Sequence, residues 1–105
     1  MAFIAGFIAH APDGDASKVK ALVETPSYKL HVVVAKDQVQ AEAAAKALVN
    51  ENGVQSIILC PGFTNKDVAK IQEVVGDGVA VCVARGDGPS SRISAEILAR
   101  EWGIH

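Results

Sequence analysis

Four stretches of the chain are apolar or nearly so, and a loop and a helical pattern follow each of them. Ala2 to Ala9 is continuously apolar, the pattern of a strand covered on both faces. It runs out at His10-Ala11-Pro12-Asp13-Gly14, a loop by composition. Asp15 or Ser17 is placed to cap a short helix with an apolar stripe of Val19, Leu22 and Val23. That helix must stop near Thr25, because Pro26 disfavours the α conformation in the residue before it. Tyr28 to Ala35 reads as a second strand, with Leu30, Val32 and Val34 on one face and Lys29, His31 and Val33 on the other. The polar start of the second face predicts a sheet edge.

Asp37 caps a longer helix through Asn50, rich in alanine at 41, 43, 44, 45 and 47; alanine favours the helix and lets it lie close to a sheet. Asn52-Gly53 is a helix stop. Gln55 to Cys60 is the third strand. Pro61 and Gly62 break it, and Thr64 or Asn65 caps a helix from Lys66 to Val75 that turns Val68, Ile71, Val74 and Val75 inward. Gly76-Asp77-Gly78 leads into a fourth strand, Val79 to Ala84. The loop Arg85 to Arg92 follows, then a last helix carrying Ile93, Ile97, Leu98 and Trp102 on one face and ending at Gly103.

The predicted order is β-α-β-α-β-α-β-α, a single α/β domain over residues 1–105. Such alternation favours a parallel sheet with right-handed crossovers. With the Tyr28 strand at an edge, the expectation is a three-layer open parallel four-stranded sheet. It is a shortened flavodoxin-like fold of strand order 2-1-3-4. The alternative is half of a (β/α)8 barrel that closes by dimerising. In the open sheet the fourth strand is an apolar edge and a pairing hazard. Either the Trp102 helix covers it or a partner does, so a homodimer is expected.

Composition narrows the function classes. Ten basic and twelve acidic residues give a net charge of −2 with no basic stripe, which disfavours nucleic-acid binding. The N-terminal apolar run lacks a basic start and is too short to span a bilayer, so the chain reads as cytoplasmic with no membrane partner. Cys60 and Cys82 are then expected as free thiols. Cys82, inside an apolar strand, reads as core. No spacing of histidines, cysteines and acids resembles a zinc site, and no cofactor is expected. Asp13 and Asp15 flank Gly14 without the ligand series of a calcium loop; capping explains them better. His31 reads as an exposed or interface histidine and His105 as a tail residue.

Parallel topology would bring His10, Lys36, Asp37, Cys60 to Asn65 and Arg85 to Arg92 to one carboxyl rim, where open α/β sheets hold ligands. Arg85, Ser90, Ser91 and the start of the last helix could cradle a phosphate or carboxylate. Asp87 opposes that, and an ordinary capped turn is the plainer reading. Gly62, Phe63, Thr64 and Asn65 would add donors and a wall, although a single aromatic in a turn more often packs as an anchor. Cys60 beside a helix N-terminus, with His10 as base, would make an activated nucleophile. A free cysteine more often packs as a small hydrophobe.

The segments Ala2-Phe3-Ile4, His10-Ala11-Pro12, Glu24-Thr25-Pro26, Leu59-Cys60-Pro61-Gly62-Phe63 and Val83-Ala84-Arg85-Gly86-Asp87-Gly88 together resemble a family of small bacterial and archaeal single-domain α/β proteins of unknown function. The resemblance covers nearly the whole chain. It departs at Pro61, where family members often carry Gly, and at Pro89-Ser90-Ser91, where they carry a longer Gly-rich stretch. It implies no activity and supports His10, Cys60, Gly62, Phe63, Arg85 and Asp87 as candidates. The sequence thus points to a protein that binds a small polar or anionic metabolite at the rim. A cysteine-dependent enzyme, and an interaction module acting through the apolar sheet edge and Trp102, are the alternatives.

Overall fold

The stretch that breaks the expected alternation is Lys20–Thr25. In the computed structural model, which describes residues 1–103, it is a strand, not a helix. The elements are β1 (Phe3–His10), β2 (Lys20–Thr25), β3 (Tyr28–Ala35), α1 (Gln38–Asn52), β4 (Ser56–Leu59), α2 (Asn65–Val75), β5 (Ala80–Val83) and α3 (Gly88–Trp102). β2 turns at Pro26-Ser27 and pairs antiparallel with β3, from Thr25 opposite Tyr28 to Lys20 opposite Val33. The Val34 N–H extends the contact by donating to the Val19 carbonyl. A helix ending at Pro26 would have been under three turns long and marginal by itself. The strand instead satisfies the backbone groups along the open side of β3, so tertiary pairing overrides the helical stripe.

The sheet is therefore five-stranded and mixed, in the order β2-β3-β1-β4-β5. Its four parallel strands keep the neighbours expected of them, but the edge on that side is β2 rather than the Tyr28 strand. A central β1 and an antiparallel edge strand do not fit half of a (β/α)8 barrel. Right-handed crossovers from β3 to β4 and from β4 to β5 move the same way across the sheet, so α1 and α2 lie side by side on one face. The result is two layers where three were expected, because the connection from β1 to β3 carries a strand in place of a helix.

Local chemistry sets the helix ends. The Asp37 carboxylate accepts the Gln40 N–H at 2.9 Å, and Gly53, at φ 68°, closes α1 in the left-handed conformation. Thr64 and Asp67 form a reciprocal capping box at the start of α2. Asp87 accepts the Ser90 N–H at 2.7 Å to start α3.

The core lies between the sheet and α1 and α2. Ile8, Ala35, Ile57 and Leu59 of the sheet meet Ala41, Ala45 and Leu48 of α1, Ile71 of α2 and Phe63 of the turn before it, all buried. Alanine at 41 and 45 lets α1 approach the strands closely. α3 has no buried residue. Of the two covers weighed for the β5 edge, Trp102 is not one: it stands beside His10, Ala11, Pro12, Lys36 and Asp37. α3 thus runs from the β5 end of the rim towards the ends of β1 and β3. Cys82 is also corrected: it is exposed, because its position in β5, opposite Ile58, faces away from the helices.

Candidate functional site

The rim is assembled by the ends of the four parallel strands. Ala9 and His10 end β1, and the alternation that buries Ile8 against the helices puts His10 on the same side. The β4–α2 turn folds Phe63 beneath it, fully buried. The two rings stack with centroids 3.8 Å apart and planes tilted by 24°. Phe63 is therefore the packed anchor rather than a lid, and one wall of the imidazole is fixed by it.

The His10 Nε2 is buried without a hydrogen-bond partner. Burial lowers the pKa of His10 from its ordinary value of 6.5, against the opposing pull of the Asp67 and Asp37 carboxylates. The neutral imidazole is the favoured form at neutral pH. Between the lowered value and 6.5, the unfolded chain binds a proton that folded His10 does not. Stability therefore rises with pH through that window and falls as pH drops below 6.5. We expect urea midpoints measured between about pH 7 and about pH 5 to fall with pH, and a His10→Gln variant to show a shallower slope. Equal slopes would mean that His10 is not the group involved.

Cys60 is half-buried and free. Its Sγ and the His10 Nδ1 flank the same backbone point: a Cβ placed on Gly62 would lie 3.6 Å from the sulfur and 3.7 Å from the nitrogen. The strand neighbours β1 and β4 bring the two residues of the proposed pair to one place, with the glycine between them.

The loop after β5 is tied down. The Arg85 guanidinium donates to the Pro61 carbonyl at 2.9 Å and to Asn65 Oδ1 at 3.2 Å, locking the two rim loops together. The Thr64 hydroxyl accepts the Asp67 N–H. At α3, Asp87 itself occupies the helix N-terminus: its side chain accepts the Ser90 N–H and its carbonyl accepts the Ser91 N–H. Hydrogen bonding from Ser90, its backbone N–H first, holds the Asp87 carboxyl below its ordinary range. Arg85 is thus held against Pro61 and Asn65, Thr64 is committed to its helix cap, and the Ser90 and Ser91 N–H groups are taken by Asp87.

Two concavities stand out. A groove of about 410 Å³ lies between the β2–β3 hairpin and α1, lined by Lys20, Leu22, His31, Ala44, Leu48 and Glu51 among others. A smaller notch of about 190 Å³ lies at the rim, between His10, Ala11, Pro12, Lys36, Asp37 and Trp102. The larger one is remote from the rim and holds neither of the buried unpartnered polar atoms, which belong to His10 and Gln38. Gln38 stands behind the rim, donating to Glu42 and to the Asp67 carbonyl. Lys36 makes no ion pair among the described residues. Trp102, expected only at an interaction surface, and Pro12 were not legible as rim residues, since only the course of α3 brings Trp102 to the end of β1. Lys36 was legible as a rim residue from its place after β3, but nothing in the sequence set it apart.

Among the described residues no three His, Cys, Asp or Glu side chains converge as metal ligands, and no helix is long and apolar enough to cross a membrane. Residues 3–99 match the family model of a family of unknown function (DUF6506). No curated protein and no solved structure matches the chain.

Proposed function

We propose that this chain, which belongs to the family of unknown function DUF6506, binds a small carboxylate-bearing metabolite in the rim notch. The observation that carries this reading is the rim notch, where His10, held against Phe63, lines one wall beside the unpaired cation Lys36. Lys36 supplies the charge, and Pro12 and Trp102 supply apolar walls. Asp37 and Asp67 place negative charge close by, so a monoanion suits the notch better than a phosphate dianion. Arg85, Ser90, Ser91, Thr64 and Asn65 then act mainly by fixing the loops. Two free cysteines fit a cytoplasmic protein.

Thermal melting in the presence of acetate, glycolate or inorganic phosphate tests this. A ligand that binds only the folded state raises Tm as its concentration rises. The carboxylates should do so more than phosphate, and Lys36→Ala should abolish most of the shift. If none of the three raises Tm, the binding reading is wrong.

A second reading rests on the shared approach of Cys60 and His10 to Gly62. A neutral imidazole near a thiol is competent to take its proton, giving a thiolate for nucleophilic attack. Alkylation of native protein by iodoacetamide, resolved by mass spectrometry, decides it. Cys60 should react faster than a free thiol near neutral pH, and lose that advantage in His10→Gln. Protection of Cys60 until unfolding removes this reading.

A further inference from the structure

The strand registers assign every strand residue to one of two faces. Ile4, Gly6, Ile8 and His10 of β1 face α1 and α2, and their neighbours in register follow them: His31, Val33 and Ala35, Ile57 and Leu59, and Val81 and Val83. The same registers put Lys20, Glu24 and Lys29 on that side. These are the three charged residues of the five strands, and all of them share the face that the helices cover. The opposite face presents Phe3, Phe7, Val23, Leu30, Val32, Val34 and Ile58, the small residues Ala5, Ala9, Ala21, Ala80 and Cys82, Tyr28 against Phe3, and two uncharged polar residues, Thr25 and Ser56.

A two-layer sheet normally turns its polar face to water. Here the helix-covered face holds the apolar core, the strand charges sit at its β2–β3 edge, and the open face carries no charge. No described helix covers the apolar face: Phe3 is 47% exposed and Val23 61%. A compact monomer of this mass exposes about 5,600 Å², whereas this chain exposes 6687 Å². Its radius of gyration, 14.0 Å, likewise exceeds the roughly 13 Å expected for its length. That excess, about 1,100 Å², comes from α3, which buries no residue, as well as from the open sheet face.

We propose that the uncovered sheet face is the dimer interface of this protein, occupied by the same face of a second copy. A flat face without charge is self-complementary under two-fold symmetry, because no like charges are brought opposite one another. Two such sheets stack about 10 Å apart and give an α-β-β-α sandwich with α1 and α2 outermost. An anionic membrane surface is a poorer match, for it would need lysines or arginines flanking the apolar patch, and the strand charges lie on the other side. The interface is separate from the rim, so each copy keeps its own notch and this proposal stands independently of the ligand reading.

Cys82 reports on the interface without mutation, since it lies on the open face and is exposed in the single chain. Sedimentation equilibrium should give twice the 10.9 kDa chain mass. Iodoacetamide labelling of Cys82 should slow as protein concentration rises from micromolar to millimolar. Phe3→Lys combined with Val23→Lys, both at exposed positions that the fold tolerates, should shift the mass to one chain and make Cys82 labelling fast at every concentration. Ile97→Lys on α3 should leave the dimer intact. A single-chain mass throughout, with concentration-independent labelling, would overturn the proposal. So would a dimer that survives the double substitution, or one that Ile97→Lys alone dissociates.

Discussion

Replacing Phe63 with alanine lowers the free energy of unfolding by about 3–5 kcal/mol. Phe63 is among the largest fully buried side chains, together with Ile8, Ile57, Leu59 and Ile71. It sits at the junction of the β4–α2 turn and the core, so its removal empties space that strands on one side and a capped helix on the other cannot easily fill. A domain of this size has about 5–15 kcal/mol in total, and the variant should be partly unfolded or lose a large share of its urea midpoint. The substitution has a second, separable effect. Burial is the main cause of the lowered His10 pKa, and Phe63 covers one face of that ring. The imidazole of the folded variant should therefore titrate closer to 6.5. Urea denaturation reads the first effect and the NMR titration of the imidazole C–H resonances reads the second. A loss under 1 kcal/mol, a size typical of surface positions, would show that the turn does not rest on Phe63.

Gly14→Ala should also be strongly destabilising, by about 1–3 kcal/mol or more. A Cβ at position 14 would stand 2.5 Å from the Ala35 carbonyl oxygen and 2.6 Å from its carbon. Both are backbone atoms at the end of β3, and Ala35 is fully buried, so the neighbour cannot swing away as a flexible side chain would. That same carbonyl accepts the Ala11 N–H at 3.0 Å, and the Gly14 N–H donates to the Ala11 carbonyl at 2.9 Å. The loop that follows His10 is folded back onto β3 by these bonds, and a methyl group would push it off. The rim should suffer with it, since Ala11 and Pro12 line the notch. Chemical denaturation of the variant measures the loss; unchanged stability would mean that the loop does not make this close approach.

Both effects depend on features read with unequal ease from the sequence. The strands around His10, Cys60 and Arg85 were legible because continuous apolar runs bounded by Pro and Gly fit buried parallel strands and little else. The caps at Asp37 and Thr64 were legible for the same local reason, a short polar side chain just before the helical pattern; at α3 a serine cap was expected, and Asp87 takes that place instead. Lys20–Thr25 was not. Ala21, Leu22 and Val23 suit either a short helix or a strand, and the choice was made by pairing with β3 across the Pro26-Ser27 turn, which was read as a helix stop rather than as a hairpin. That one strand moved the sheet edge and removed a helical layer, and with it the expectation of a buried Cys82. At the rim, the sequence named His10, Cys60 and Arg85 as neighbours by topology. It did not show that Arg85 spends its donors on Pro61 and Asn65, or that Trp102 reaches the notch, because both depend on the path of loops and of α3 across the rim.

The central claim is that the notch between His10, Lys36 and Trp102 receives a small carboxylate. The most direct measurement is an NMR titration of the full chain with acetate and glycolate at fixed pH, following the ring resonances of His10 and His31 and the indole N–H of Trp102. The account predicts that His10 and Trp102 shift together and saturate, that His31 in the remote groove stays still, and that Lys36→Ala removes the response. Shifts confined to His31, or no saturable shift at all, would contradict it.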